Sequence, residues 1–218
     1  MKLLNNLLIF YLILPLSGFS QKASDWKLTR NQDGIKIYVR SVEGSRTKEI
    51  LGFTQINTHL GALVSMVKDT KSHNLWIYAN KSALLLKNIS DFEWIYYNVS
   101  EAPWPVSNRD LITHAVLTQD NLTYKVRIDS DGRPDYIPHK ENLVRVPRLS
   151  SVWEFTPKSY GIIDVRFELS IDLGGDIPAW LVNMAIDKGP FYTLLNMSKV
   201  VKTNKYSNTY LSYIKEKP

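Results

Sequence analysis

Four histidines, His59, His73, His114 and His139, are the first residues to weigh for acid–base or metal chemistry. No two of them stand at the i, i+4 spacing of a helical metal pair, and no cluster of carboxylates accompanies them, so the pattern argues against a metal site. His114 falls in the middle of an alternating stretch and acts as a general base only if it faces an interior. A histidine with satisfied hydrogen bonds in the core or at the surface is the default reading for all four. The chain has no cysteine, which removes thiol nucleophiles, thiolate metal sites and disulfides together. It also has no Gly-x-Ser-x-Gly elbow and no glycine-rich phosphate cradle after a strand. No catalytic residue, metal ligand or cofactor is therefore assigned. Arg109-Asp110, at the start of a strand, could meet a ligand head group, but the favoured reading is that such a pair pins a loop through side-chain hydrogen bonds.

The elements that must position these residues alternate with period two over most of the chain. The clearest strand sets Ile163, Val165, Phe167, Leu169, Ile171 and Leu173 against Asp164, Arg166, Glu168, Ser170 and Asp172, a sheet wetted on one side. Earlier strands are read at 35–39, 47–56, 82–89, 92–99, 109–118, 122–129 and 143–155. Short turns join them, so the sheet is mainly antiparallel. Leu60, Leu63, Val64 and Val67 recur at helical spacing after a cap at Asn57 or Thr58. A long apolar helix over 178–201, about 36 Å at roughly 1.5 Å per residue, closes the pattern. Asp176 is placed to cap it, Pro178 suits its first turn, and Gly189-Pro190 should kink or briefly break it. Residues 203–218 read as a polar, frayed tail.

Length and composition bound the class. The chain has 218 residues, 44% apolar and 22% charged, enough for one domain with its own core. The net charge of +6 is interspersed with acids and forms no long basic run, which argues against nucleic acid and only modestly for anionic lipid surfaces. Lys2, the apolar run 7–16 and Ser17-Gly18-Phe19-Ser20 make a secretory signal peptide over residues 1–20. The expected protein is then a single exported domain, residues 21–218, periplasmic or secreted.

One stretch carries a resemblance. Ala102-Pro103-Trp104-Pro105-Val106-Ser107-Asn108-Arg109-Asp110 and the strand after it resemble the central motif of StAR-related lipid-transfer (START) domains. His73-Asn74-Leu75-Trp76, Ser151-Val152-Trp153-Glu154-Phe155 and Gly174-Gly175-Asp176-Ile177-Pro178-Ala179-Trp180-Leu181-Val182-Asn183 agree in order with other family segments. The resemblance covers about residues 24–202. It implies an α+β helix-grip fold, a curved and mainly antiparallel sheet wrapped around a long C-terminal helix, with a tunnel for one lipid-like molecule. Sterol-handling members bury a carboxylate and an arginine in that tunnel; in an ungapped register those positions are Tyr96 and Ala115 here, so the pair is missing. The expected ligand-binding residues are Tyr96, Asn98, Arg109, Leu181, Met184, Phe191 and Leu195. They suit a lipid or other hydrophobic small molecule with one hydrogen-bonding group. Transient membrane contact, through a residue such as Trp104, is part of this expectation. The competing reading is a cyclase or aromatase using the same cavity, which needs His114, Tyr96 and Arg109 to line it together. A ligand-free scaffold for another envelope protein is the third.

Overall fold

The structure, a computed structural model, describes residues 26–42, 48–159 and 161–218, and the side chains of all of these except Ser159, Ala179, Leu181, Asn183, Met184 and Asp187. The expected signal segment, and the side chains of Leu181 and Met184 as ligand contacts, lie outside the described residues. Alternation of apolar and polar residues gives β1 (Lys27–Gln32), β2 (Ile35–Ser41) and β3 (Lys48–Asn57), whose Ile35, Ile37, Ile50 and Ile56 are buried on one face. Then come α1 (Leu60–Lys68), a 3-10 turn at Thr70–Ser72 and the single-turn helix α2 (His73–Trp76). The remaining strands are β4 (Asn80–Ser90), β5 (Glu93–Ser100), β6 (Asn108–Gln119), β7 (Val126–Gly132), β8 (Leu143–Arg145), β9 (Arg148–Ser159) and β10 (Ile162–Asp172). The chain ends in α3 (Ala179–Val200) and the short α4 (Asn204–Ser207).

The sheet runs β1-β2-β3-β10-β9-β7-β6-β5-β4, and every neighbouring pair in that order is antiparallel. β8 alone pairs in parallel, against the start of β6. The stretch 143–155 is thus not the one strand expected. Pro147 has no amide to donate to a ladder, and the chain breaks there into β8 and β9. The last strand joins the two halves: β10 pairs with β3 on one side and β9 on the other.

The helix α3 lies across β1, β2 and β3 and touches α2. It comes close to the sheet at Gly52, where a Cβ would stand 2.8 Å from Leu194 Cδ1. The helix is continuous through Gly189-Pro190, so the expected break is absent; one missing amide in a long buried helix is tolerated. Pro178 is its N-cap, and neither Asp176 nor any other side chain caps it. The cap of α1 is also shifted, to His59, whose Nδ1 accepts from the Ala62 amide at 3.3 Å.

The tail is docked, contrary to the frayed end that its polarity suggests. Tyr206 is buried and donates to Asp69 at 2.8 Å, and Ile214 is buried in the main core. Glu216 accepts from the first amides of α1, Gly61 at 2.7 Å and Leu60 at 3.0 Å. A carboxylate there satisfies orphan donors and favours the helix dipole. Glu216→Ala should therefore lower stability by about 1 kcal/mol, seen as a lower urea midpoint with an unchanged slope. An unchanged midpoint would mean that water serves those amides equally well.

Candidate functional site

A cavity of about 310 Å³ lies between α2, the flank of α3 and the inner faces of β5, β6, β9 and β10. Strand alternation decides what faces it. Tyr96, Asn98 and Ser100 of β5 and Arg109, Leu111 and Thr113 of β6 point inward. Ile95, Tyr97 and Ile112 form a separate cluster on the other face. Trp153 on β9 stacks on Phe167 of β10 at 4.1 Å and meets Trp76 of α2 edge-on at 5.9 Å, which makes one aromatic wall. Ala185, Ile186, Gly189, Pro190 and Thr193 supply the helical wall. A larger and more open hollow, about 630 Å³, adjoins it beside residues 171–178, sharing Ile171, Leu173, Ile177 and Ile186. The enclosed cavity is the candidate site because the unusual polar groups line it.

His73 Nδ1, Trp76 Nε1, Asn98 Oδ1 and Thr113 Oγ1, on four residues of its wall, are buried with no partner at full hydrogen-bond geometry. Asn98 lies within hydrogen-bonding reach of His73, and Thr113 within reach of Tyr96, so the wall carries two close polar side-chain pairs among its apolar residues. His73 Nε2 lies 2.9 Å from the Val67 carbonyl. A carbonyl only accepts, so that nitrogen carries the proton and Nδ1 presents a lone pair. Burial lowers the His73 pKa, against the opposing pull of the Val67 carbonyl and of nearby Asn98 and Asp69. Burial likewise pushes the Tyr96 hydroxyl up to about 12, with Thr113 and Ser130 opposing, so it stays protonated.

The lowered His73 value has a consequence for stability. The unfolded chain binds this proton more readily, so its stabilising share is complete above the ordinary histidine pKa, about 6.5. It is lost as pH falls from there toward the lowered folded value. Between pH 7.5 and 5 the melting temperature should fall more steeply for the wild type than for His73→Gln. Equal slopes would show that His73 is not held neutral by the fold. Thr113→Val makes a second check: removing the hydroxyl that lies beside Tyr96, with little change of shape, should cost about 1 kcal/mol and push the Tyr96 pKa further up. Unchanged stability would show that Thr113 gives Tyr96 no hydrogen bond.

The sequence-expected residues divide cleanly. Tyr96, Asn98 and Arg109 line the cavity. Phe191 and Leu195 do not; they pack in the main core, with the Arg30 guanidinium 4.7 Å above the Phe191 ring. At 3.6 residues per turn, residues 186, 189, 190 and 193 share one face and Phe191 and Leu195 are turned away from it. His114 is also turned away, 2.7 Å from Glu93 Oε1 and 3.3 Å from an Arg133 nitrogen. His114, Tyr96 and Arg109 therefore do not line one space. His59 caps α1 and His139 is exposed, and no group of metal ligands forms among the described residues.

Arg109 and Asp110 have opposite fates. Asp110 faces outward under the loop 133–142, where Arg145 grips both its oxygens at 2.9 Å and Tyr97 donates at 3.1 Å. Arg145 also donates to the carbonyls of Pro134, Ile137 and Pro138, so the pair pins that loop. Arg109 faces the cavity, and burial lowers its pKa. At the rim beside it, Ala102 and Pro103 line the opening and Trp104 is 91% exposed. His73, Thr113 and Arg145 were missed as functional positions. Thr113 was accessible from its two-residue spacing to Leu111 and Arg109; a one-turn helix gives His73 no periodicity to read.

The START domain family model matches residues 16–206. The chain belongs to the START domain family. An uncharacterized protein of Pseudomonas aeruginosa is 35% identical over 172 residues, 79% of this chain and 84% of that protein. A STAR-related lipid transfer protein fragment from Xanthomonas axonopodis superposes with a TM-score of 0.75 at 31% identity, covering 82% of this chain and 99% of the fragment. Human STARD10 has the same fold, with a TM-score of 0.71 at 19% identity over 85% of this chain and 76% of that one. The START assignment and the helix-grip fold expected from the motifs are both met, a ten-stranded sheet holding a long C-terminal helix. Among the described residues of this START domain, no helix is long and apolar enough to cross a membrane.

Proposed function

We propose that this START domain binds one lipid or similarly hydrophobic molecule in the cavity beneath α3 and carries it between surfaces. The observation that supports this most is the cavity itself, walled largely by apolar and aromatic side chains with Tyr96, Asn98, Arg109 and Thr113 as polar groups on its sheet side. A ligand with a chain and one neutral hydrogen-bonding group would satisfy Asn98, Thr113 or His73 and bury its methylenes at about 0.8 kcal/mol each. The loop at Gly174-Gly175, both with positive φ, lines the open hollow beside the cavity and is the natural joint for entry. Exposed Trp104 at the rim would serve a passing membrane contact. On this reading the signal-like residues 1–20 would direct the protein to the periplasm or outside the cell. Native mass spectrometry of the purified protein, with lipid extraction and a broad lipid panel, tests the reading. A cavity that stays empty throughout would end it.

A cyclase or aromatase is the second reading, favoured by one feature: His73, whose Nδ1 is the unprotonated nitrogen, belongs to the cavity wall. It requires turnover of a reactive poly-β-ketone chain that His73→Gln abolishes while ligand binding survives.

A further inference from the structure

Arg109 is 7% exposed, lines the cavity and donates to the Ser107 carbonyl two residues away. Among the described residues it has no carboxylate partner. Its neighbour Asp110 points to the other face and is taken up by Arg145. The acid in the cavity wall, Glu101, is exposed and pairs with Lys81 at 3.7 Å. A guanidinium does not shed its charge under ordinary conditions, so the wall holds a buried cation with a single neutral acceptor. Such a charge is costly unless something negative meets it.

We propose that Arg109 is the head-group site for a single-chain amphiphile with a carboxylate head. The inference rests on the hydrophobic-ligand reading above and adds the charge and the size of the ligand. Arg109, Leu111 and Thr113 follow one another along the inner face of β6, so Arg109 and Thr113 are about 14 Å apart at roughly 3.4 Å per residue. A carboxylate at Arg109 near the rim sends its chain past Leu111, with Asn98 opposite it on β5, and on toward Thr113, Leu149 and Leu169. The volume agrees. A cavity of about 310 Å³ sits at the lower end of the roughly 300–1,000 Å³ of small-molecule sites, which suits one acyl chain better than two. The planar fork of arginine matches the two oxygens of a carboxylate.

Titrating the purified protein with cis-parinaric acid and with its methyl ester, each followed by its own fluorescence, tests this. The acid should bind the wild type about tenfold or more tightly than the ester, the scale of a charge-assisted hydrogen bond. Arg109→Gln should weaken the acid by a similar factor and leave the ester within about twofold, and Arg109→Lys should keep part of the preference. Equal binding of acid and ester to the wild type would overturn the head-group site and leave the hydrophobic cavity standing; this arm needs no variant to fold. An Arg109→Gln protein that loses both probes equally would assign Arg109 a structural role instead. If neither probe binds the wild type, the hydrophobic-ligand reading fails and takes this one with it.

Discussion

Arg145→Met should lower the stability of the domain by about 3–5 kcal/mol, because it strands a buried carboxylate. The side chains of Asp110 and Arg145 are 1% and 3% exposed. Without the guanidinium, Asp110 keeps only the Tyr97 hydroxyl, and the carbonyls of Pro134, Ile137 and Pro138 lose their shared donor. The loss should fall short of additive when Asp110→Asn is combined with Arg145→Met, because the double variant buries no lone charge. Urea unfolding of the four proteins checks both statements. A cost below about 1 kcal/mol for Arg145→Met, or strict additivity, would mean that the pair is not what holds the loop.

The same pair sets part of the acid limit. Burial alone would raise the Asp110 pKa, but the Arg145 hydrogen bonds and charge override it and the net shift is downward. A carboxylate held below its unfolded value contributes fully above the ordinary pKa, near 4, and loses that contribution as pH falls through the lowered one. The wild type should therefore lose stability more steeply below pH 4 than Asp110→Asn does.

Trp153→Ala is the second large effect, about 3–5 kcal/mol of destabilisation. It deletes the stack on Phe167 and the edge contact with Trp76, and its indole stands between two strands of the sheet and the only helix turn that carries His73. The space it vacates opens into the cavity instead of closing over. A bound amphiphile should then recover part of the loss by mass action, more for this variant than for one that empties a sealed site such as Ile128→Ala. Denaturant curves with and without cis-parinaric acid read this out. Equal recovery for the two variants would show that the Trp153 side chain does not border the ligand space.

Much of this fold was legible because a half-wet sheet writes itself in period two. The strand 163–173, the hairpins and the antiparallel class all follow from alternation, and the family motifs located the ends of α3 and the rim loop. Other features leave no such trace. The apolar residues of α3 cover more than one flank, and nothing in them says which flank meets the sheet and which meets a void; Phe191 and Leu195 pack into the core. Arg145 looks like any surface arginine until the loop folds over it. The docking of Tyr206, Ile214 and Glu216 depends on partners in α1 and beside it, far away in sequence, while the tail itself is short and polar. Proximity to Pro147 could have warned of the break between β8 and β9.

The place of β10 in the sheet also governs the order of events in folding. Before residues 162–172 leave the ribosome or a translocation channel, β3 and β9 each end in an unpaired edge, and the two halves of the sheet have no seam. Contacts so distant in sequence close late and slowly. A nascent chain that ends before Ile162 is thus two open half-sheets, ready to pair with other chains, and safe maturation depends on how soon that one strand arrives.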